Sequence, residues 1–237
     1  MKSMKSMKRF TWQFYEEMFK TFLNKGYEII TLEWYFTEKF NKYKKLVINR
    51  IDVDVKIERL KYIYQIFKKL KIRGSIFLRL HSPYYNLFSI GNILLVKRLI
   101  DLGCEIGIHT ELEDIKGYCS VDAKKLLKKE IELFEIIFQT KIYGTASHGD
   151  MTFYNNLEFW KSYSPKEFDL LYEAYDERLL NNCLYITDSE WTQWKAYLKG
   201  ELLEGDRRDP IEHLKDNPKV IYLLTHPDCW YENYIWE

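Results

Sequence analysis

The chain opens on a helical pattern. Trp12, Tyr15, Phe19 and Phe22 recur at three- and four-residue steps within residues 11–25, which predicts an amphipathic helix ended by Gly26. "YEIITL" reads as a short strand. After a charged connector, "LVINRIDVDV" brings together Val47, Ile48, Ile51, Val53 and Val55, all β-branched, which predicts a buried strand over 46–52. From residue 55 the spacing turns helical again through Ile57, Leu60, Ile63, Ile66, Phe67 and Leu70. The rhythm then repeats. Strands are expected at 74–80, 104–109, 141–148, 183–191 and 220–230, with helices at 92–103 and 121–139 and a less regular, aromatic-rich stretch at 150–183. Strands alternating with helices predict right-handed βαβ units around a parallel sheet or barrel. No Pro/Gly/Ser-rich linker divides the chain, so one domain over 46–237 is expected, with residues 1–45 packed on it as an extension.

The polar residues follow that rhythm. Asp52 and Asp54 close the first central strand. His109, Glu111, Glu113 and Asp114 follow "CEIGIH", His148 follows "KIYGTAS", Asp188 follows "CLYIT", and His226 ends the last strand. In parallel α/β sheets and barrels, the C-terminal strand ends form the face where active sites are built. Two aspartates one residue apart on a strand point the same way, an arrangement that requires a shared cation or proton. Asp54 and His109, with a further carboxylate or His148, would make a divalent metal site. That donor set suits zinc, and also iron, cobalt, nickel or manganese. Asp52 could then take a proton from water, and His226 could donate one to a leaving group. Three side chains compete as the remaining ligand, in the order His148, Glu113, Glu111, because a neutral imidazole leaves the site less negative than a third carboxylate. Glu111, Gly149, Asp188, Trp191 and Trp230 are expected at the substrate, with Gly149 offering backbone N–H to an oxyanion. Trp191, Trp230 and Tyr84 are the candidate sugar-stacking rings.

Composition narrows the picture. The 237 residues are 46% hydrophobic, enough for a substantial core, and 36 Lys plus Arg against 35 Asp plus Glu leave no basic field to attract nucleic acid. Cys104, Cys119, Cys183 and Cys229 form no C-x-x-C pair, which predicts free thiols and a reducing, cytoplasmic compartment. No apolar run is long enough for a membrane helix. Dinucleotide, P-loop, nucleophile-elbow and H-E-x-x-H motifs are missing from the sequence.

Residues 46–230, taken in order, resemble the polysaccharide deacetylase family (carbohydrate esterase family four), whose fold is a distorted (β/α) barrel. "RIDVD" resembles the family's first motif, in which the first aspartate is the base and the second a metal ligand. "GSIFLRL" resembles the strand written A-T-F-F. "LIDLGCEIGIHTE" is similar to L-x-x-x-G-H-E-I-G-x-H-T and is the most specific stretch. "YITDSEW" and "LLTHPDCW" resemble the later motifs, the last carrying the catalytic histidine. "INRIDVD" is also similar to a subgroup with an R-H-D-V-D signature, associated with surface-polysaccharide gene sets. Three positions depart from the pattern: Glu113 stands where a second histidine is usual, "TASHGD" replaces an arginine- and proline-bearing motif, and Ile51 stands where the subgroup has histidine. The resemblance implies a metal-dependent hydrolase removing an N-acyl group, acetyl above all, from an amino sugar or sugar precursor. Two other readings stay open: a degenerate carbohydrate-binding protein of this fold, and a metal-independent hydrolase acting on a small cyclic amide.

Overall fold

Alternation along the aspartate strand sorts its side chains onto two faces, and the fold follows from covering both. The computed structural model describes residues 10–42, 44–149, 152–189 and 193–233. Its strands are β1 (Tyr27–Ile30), β2 (Lys45–Val53), β3 (Ser75–Leu78), β4 (Glu105–Thr110), β5 (Gly144–Ser147), β6 (Tyr172–Glu173), β7 (Leu184–Thr187), β8 (Lys195–Leu198), β9 (Glu201–Leu202) and β10 (Val220–Thr225). They form one ten-stranded sheet in the order β6-β5-β4-β3-β2-β10-β7-β8-β9, with β1 paired alongside β2. Every pairing from β6 across to β7 is parallel; β8 and β9 turn back antiparallel. The expected (β/α) barrel is therefore present in open form, since β6 and β9 end the sheet without pairing to each other.

On the outer face of β2, Val47, Ile51 and Val53 pack under the helices, among them α1 (Trp12–Asn24), α3 (Leu60–Leu70), α4 (Ile90–Asp101) and α6 (Ala123–Phe138). Ile48 faces the other way, into a second cluster with Phe77, Tyr172, Tyr185, Tyr222 and Leu224. Arg50 and Asp52 share the parity of Ile48 and so face the same interior. Gly107 makes room there: a Cβ on it would stand 2.4 Å from the Phe77 ring.

Several elements were not legible in the hydrophobic pattern. Among them are α2 (Leu32–Phe36), α5 (Leu112–Cys119) and the β8–β9 hairpin. Each is short, so its periodicity carries little signal. The start of α2 docks on a carboxylate from another strand: Glu105 accepts from the backbone N–H of Glu33 at 2.9 Å, from Ser75 Oγ at 2.5 Å and from the Tyr172 hydroxyl. Ser75 Oγ in turn accepts from Leu32 N at 2.8 Å.

Burial pushes the Glu105 carboxyl up from its ordinary 4.5 to about 7, although Ser75, Tyr172 and the Glu33 N–H oppose the shift. A carboxyl raised in the folded state stabilises the fold fully below its unfolded pKa, and that contribution is lost as pH rises through the folded value. Stability should therefore fall by an amount on the order of 3 kcal/mol between about pH 4.5 and pH 8 through this group. Urea unfolding across that range should show the decline, and Glu105→Gln should flatten it. An identical pH slope in the variant would assign the decline elsewhere.

Candidate functional site

Because β2, β3, β4, β5, β7 and β10 run parallel, their C-terminal ends converge on one side of the sheet. Asp54 follows β2, His109 lies near the end of β4, and His148, Asp188 and His226 follow β5, β7 and β10. A cleft of about 480 Å³ opens there, lined by Asp52, Asp54, His109, His148, Gly149 and His226 among others.

Asp54 is the hub. Its Oδ1 lies 3.2 Å from His109 Nε2 and 3.9 Å from His148 Nε2, and its Oδ2 lies 3.9 Å from His226 Nε2. The loop carrying it is clamped on both sides. Ser82 Oγ donates to the Asp54 carbonyl at 3.1 Å and the Tyr85 hydroxyl to the Val53 carbonyl at 2.7 Å. The backbone N–H groups of Val55 and Lys56 donate to the Asp228 carboxylate at 3.1 and 2.7 Å. Burial would raise Asp54, but His109, His226 and His148 hold it well below the usual carboxylate range.

The donors suit a divalent cation. Asp54, His109 and His148 present ligand atoms that all lie within 4.8 Å of one another. His109 Nδ1 sits 2.8 Å from the Ala146 carbonyl, so that nitrogen carries the proton and Nε2 faces the carboxylates. A neutral ring would thus aim a lone pair at Asp54 and at Asp52 Oδ2, 3.5 Å away. Only a proton or a cation between them removes that repulsion, and Asp54 Oδ1 has no hydrogen-bond partner among the described residues. Burial lowers His148, with the neighbouring His109 adding to it, to about 4, so its ring is neutral and able to ligate. Two other groups have comparable spacing, Asp188–His226–Cys229 and Glu111–Asp114–His148. In the first, the Asp188 oxygens already accept from His226 and Trp230, and burial drives the Cys229 thiol well above its ordinary value. In the second, Arg79 Nη2 stands 2.6 Å from Glu111, while Asp114 accepts from Asn156 at 2.9 Å and from Thr152.

Two polar pairs flank this centre. Asp52 is fully buried and held by both arms of an equally buried arginine: Arg50 Nε donates to Oδ1 at 2.9 Å and Nη2 to Oδ2 at 2.6 Å. The guanidinium also lies 4.5 Å from the centre of the Tyr175 ring and donates to the Tyr222 hydroxyl at 3.2 Å. Burial alone would raise Asp52; Arg50 and then His109 outweigh it and hold the carboxyl below its ordinary value. On the other side, His226 Nδ1–H donates to Asp188 Oδ1 at 2.7 Å, leaving Nε2 toward Asp54 and the cleft. Burial opposes charging His226, but Asp188, with Asp54 and Asp52, pushes it up to about 9.

Several expected residues stand elsewhere. Glu113 does not join Asp54 and His109. The chain turns helical after Glu111, the four-residue step from His109 crosses that junction, and the Glu113 carboxylate accepts from Lys116 at 2.8 Å. Glu111 is buried against Arg79 and does not line the cleft. Asp188 is buried too, its oxygens spent on His226 and Trp230, so it orients a histidine and offers nothing to a substrate. Trp230 cannot stack on a sugar: it is fully buried, its ring 4.7 Å from Tyr15 and 5.5 Å from Phe10, with its indole N–H donating to Asp188 at 2.8 Å. Gly149 lines the cleft, and Tyr84 is exposed away from it. Trp191 lies outside the described residues. Sequence reasoning also passed over Arg50. A lone arginine inside a β-branched run was a signal, since a charge at a buried strand position demands a partner.

No family model matches the chain, and no curated protein matches it. Among solved structures the chain is similar to Streptococcus pyogenes deacetylase PplD in complex with acetate, at 15% identity over 59% of this chain and 65% of that one, with a TM-score of 0.44. It is similar to a CE4 family pseudoenzyme from Bacillus anthracis at 17% identity, over 79% of this chain and 56% of that one, with a TM-score of 0.46. It is also similar to IcaB from Ammonifex degensii at 16% identity, over 64% of this chain and 72% of that one, with a TM-score of 0.45. The chain spans less than two thirds of the length of the first two.

The Arg50–Asp52 pair makes an energetic test. Removing one partner of a buried ion pair strands the other charge, at a cost of about 3–5 kcal/mol, whereas replacing both with apolar groups is far milder. Arg50→Met should therefore destabilise the protein by that amount in urea unfolding. Adding Asp52→Leu should recover most of it. Additive losses in the double variant would show that the two side chains do not depend on each other.

Proposed function

We propose that this chain is a metal-dependent amide hydrolase of the carbohydrate esterase family four type, acting on an N-acylated amino sugar or sugar precursor of surface polysaccharide. The observation carrying this reading is the placement of Asp54, His109 and His148 around one point, with the Arg50–Asp52 pair and the His226–Asp188 pair separately flanking it. The order of those residues along the chain follows the family's motifs, and "TASHGD" supplies His148 where the pattern departs. N-acetylglucosamine is the first substrate to test.

Asp54, His109 and His148 would hold the ion, zinc being the first candidate from the mixed carboxylate and imidazole donors. Such an ion polarises the amide carbonyl and makes a bound water more acidic. Asp52, ionised beside Arg50, accepts a proton from the attacking water. The water oxygen adds to the acyl carbon and the C–N bond breaks. His226, charged through Asp188, passes its Nε2 proton to the departing nitrogen, which leaves as the amine while the acyl group leaves as a carboxylate. Gly149, at the cleft wall, would offer its backbone N–H to the reacting carbonyl. The described cysteines are all free thiols, which fits action in a reducing compartment on a precursor. No helix among the described residues is long and apolar enough to cross a membrane.

The assigned roles separate experimentally. Asp54→Asn, which keeps shape but removes the anionic ligand, should lose metal by elemental analysis. Asp52→Asn and His226→Ala should retain metal and release glucosamine about 10²–10⁴-fold more slowly. Asp188→Asn should also lower kcat with little change in KM, because it would reach the reacting groups only through His226. Equal metal retention by Asp54→Asn and Asp52→Asn would contradict the division of labour.

A further inference from the structure

The cleft has two unlike ends. Asp52, Asp54, His109, His148 and His226 occupy one. The other is walled mainly by Tyr175, Leu180, Tyr185 and Tyr197, with Thr187, Gly200 and Leu224 also on the cleft lining. This second end exists because the barrel does not close: Tyr175 follows β6 and Tyr197 lies on β8, and both line the same cleft although those strands do not pair. Tyr185 sits deepest, only 8% exposed, its ring 5.4 Å from Tyr197 at 31° and 5.2 Å from Tyr222 at 33°. Tyr175 is fixed against the Arg50 guanidinium, which joins this wall to the reacting end.

The chemistry of the wall selects between the two halves of an amide substrate. A sugar ring carries several hydroxyl groups, each of which needs a hydrogen-bond partner once buried. These four side chains offer only phenolic hydroxyls and a leucine. A hydrocarbon chain needs no such partners and gains from leaving water. The whole cleft, its polar end included, has a volume of about 480 Å³, in the range that accommodates a drug-sized molecule.

We propose that this tyrosine-walled arm receives the acyl half of the substrate, and that the preferred N-acyl group is a hydrocarbon chain several carbons longer than acetyl. The sugar then stays toward the polar mouth. This inference rests on the amide-hydrolase reading for the orientation of the substrate, but the arm's selectivity can be read by binding alone.

The experiment compares N-acetyl-, N-butanoyl- and N-hexanoylglucosamine with the full chain, zinc-loaded. Binding is followed by stopped-flow intrinsic fluorescence before turnover accumulates, and glucosamine release is measured separately. Each methylene that becomes buried should strengthen binding by about fourfold, so the hexanoyl compound should bind at least tenfold tighter than the acetyl compound. Leu180→Trp, which fills the arm without opening a cavity, and Tyr197→Ala, which removes part of its wall, should each shrink that ratio. Equal affinity for all three compounds in the parent protein, or a ratio unmoved in both variants, overturns the assignment. A rising affinity with no glucosamine released from any of the three would leave the arm as an acyl-chain site while refuting amide hydrolysis. Release from all three with flat affinities would refute the arm alone.

Discussion

Two aspartates, Asp52 and Asp54, enter a largely buried space from one strand, and neither can stay ionised there without positive charge. The surrounding structure answers that requirement. Arg50 meets Asp52 from two residues earlier on the same strand, with both arms engaged. Three histidines from β4 and from the ends of β5 and β10 converge on Asp54. Because burial of each carboxylate is costly without these partners, the register of β2 against β3 and β10 is tied to the site. A one-residue slip would carry Arg50, Asp52 and Ile48 to the opposite face together.

The two aspartates nevertheless receive different treatment, which suits the different roles proposed for them. Asp52 is locked to a permanent cation that cannot leave, so its charge is settled whether or not anything binds. Asp54 faces titratable rings, one of which, His109, must accept a proton or a cation at Nε2 because its other nitrogen is committed to the Ala146 carbonyl. A carboxylate held by a fixed cation next to an exchangeable cation position would suit the amide hydrolysis proposed above.

The support reaches well beyond the cleft. Asp188 connects His226 to Trp230, and Trp230 lies in the aromatic cluster formed with Phe10, Trp12 and Tyr15 of the N-terminal segment. Tyr15 also bonds through its hydroxyl to Thr225, beside His226, at 3.2 Å. The orientation of His226 thus depends on packing by α1, more than two hundred residues away in the chain. At the opposite end of the sheet, Glu105 performs a comparable service for α2 by satisfying the backbone N–H of Glu33.

Much of this was written locally. The β-branched run into Asp52 and Asp54, the apolar strands ending in His109, His148 and His226, and the three- and four-residue spacing of the helices specified strand, helix and the end of the sheet where polar groups gather. Such features depend on neighbouring residues and on the two periodicities of backbone structure. Partnership was a different matter. Whether Glu113 or His148 stands beside Asp54 depends on the helix beginning after Glu111, and Trp230 became core because α1 covers it. Asp188 serves His226 because β7 and β10 are neighbours. The tyrosine arm brings Tyr175, after β6, and Tyr197, on β8, onto one cleft although those strands do not pair. The sequence by itself determined which polar residues close the strands and on which end of the sheet they emerge. Tertiary structure alone decided which of them meet, because hydrogen bonds and ion pairs form between side chains brought within a few ångströms by strands far apart in the chain, and local periodicity contains no record of that distance.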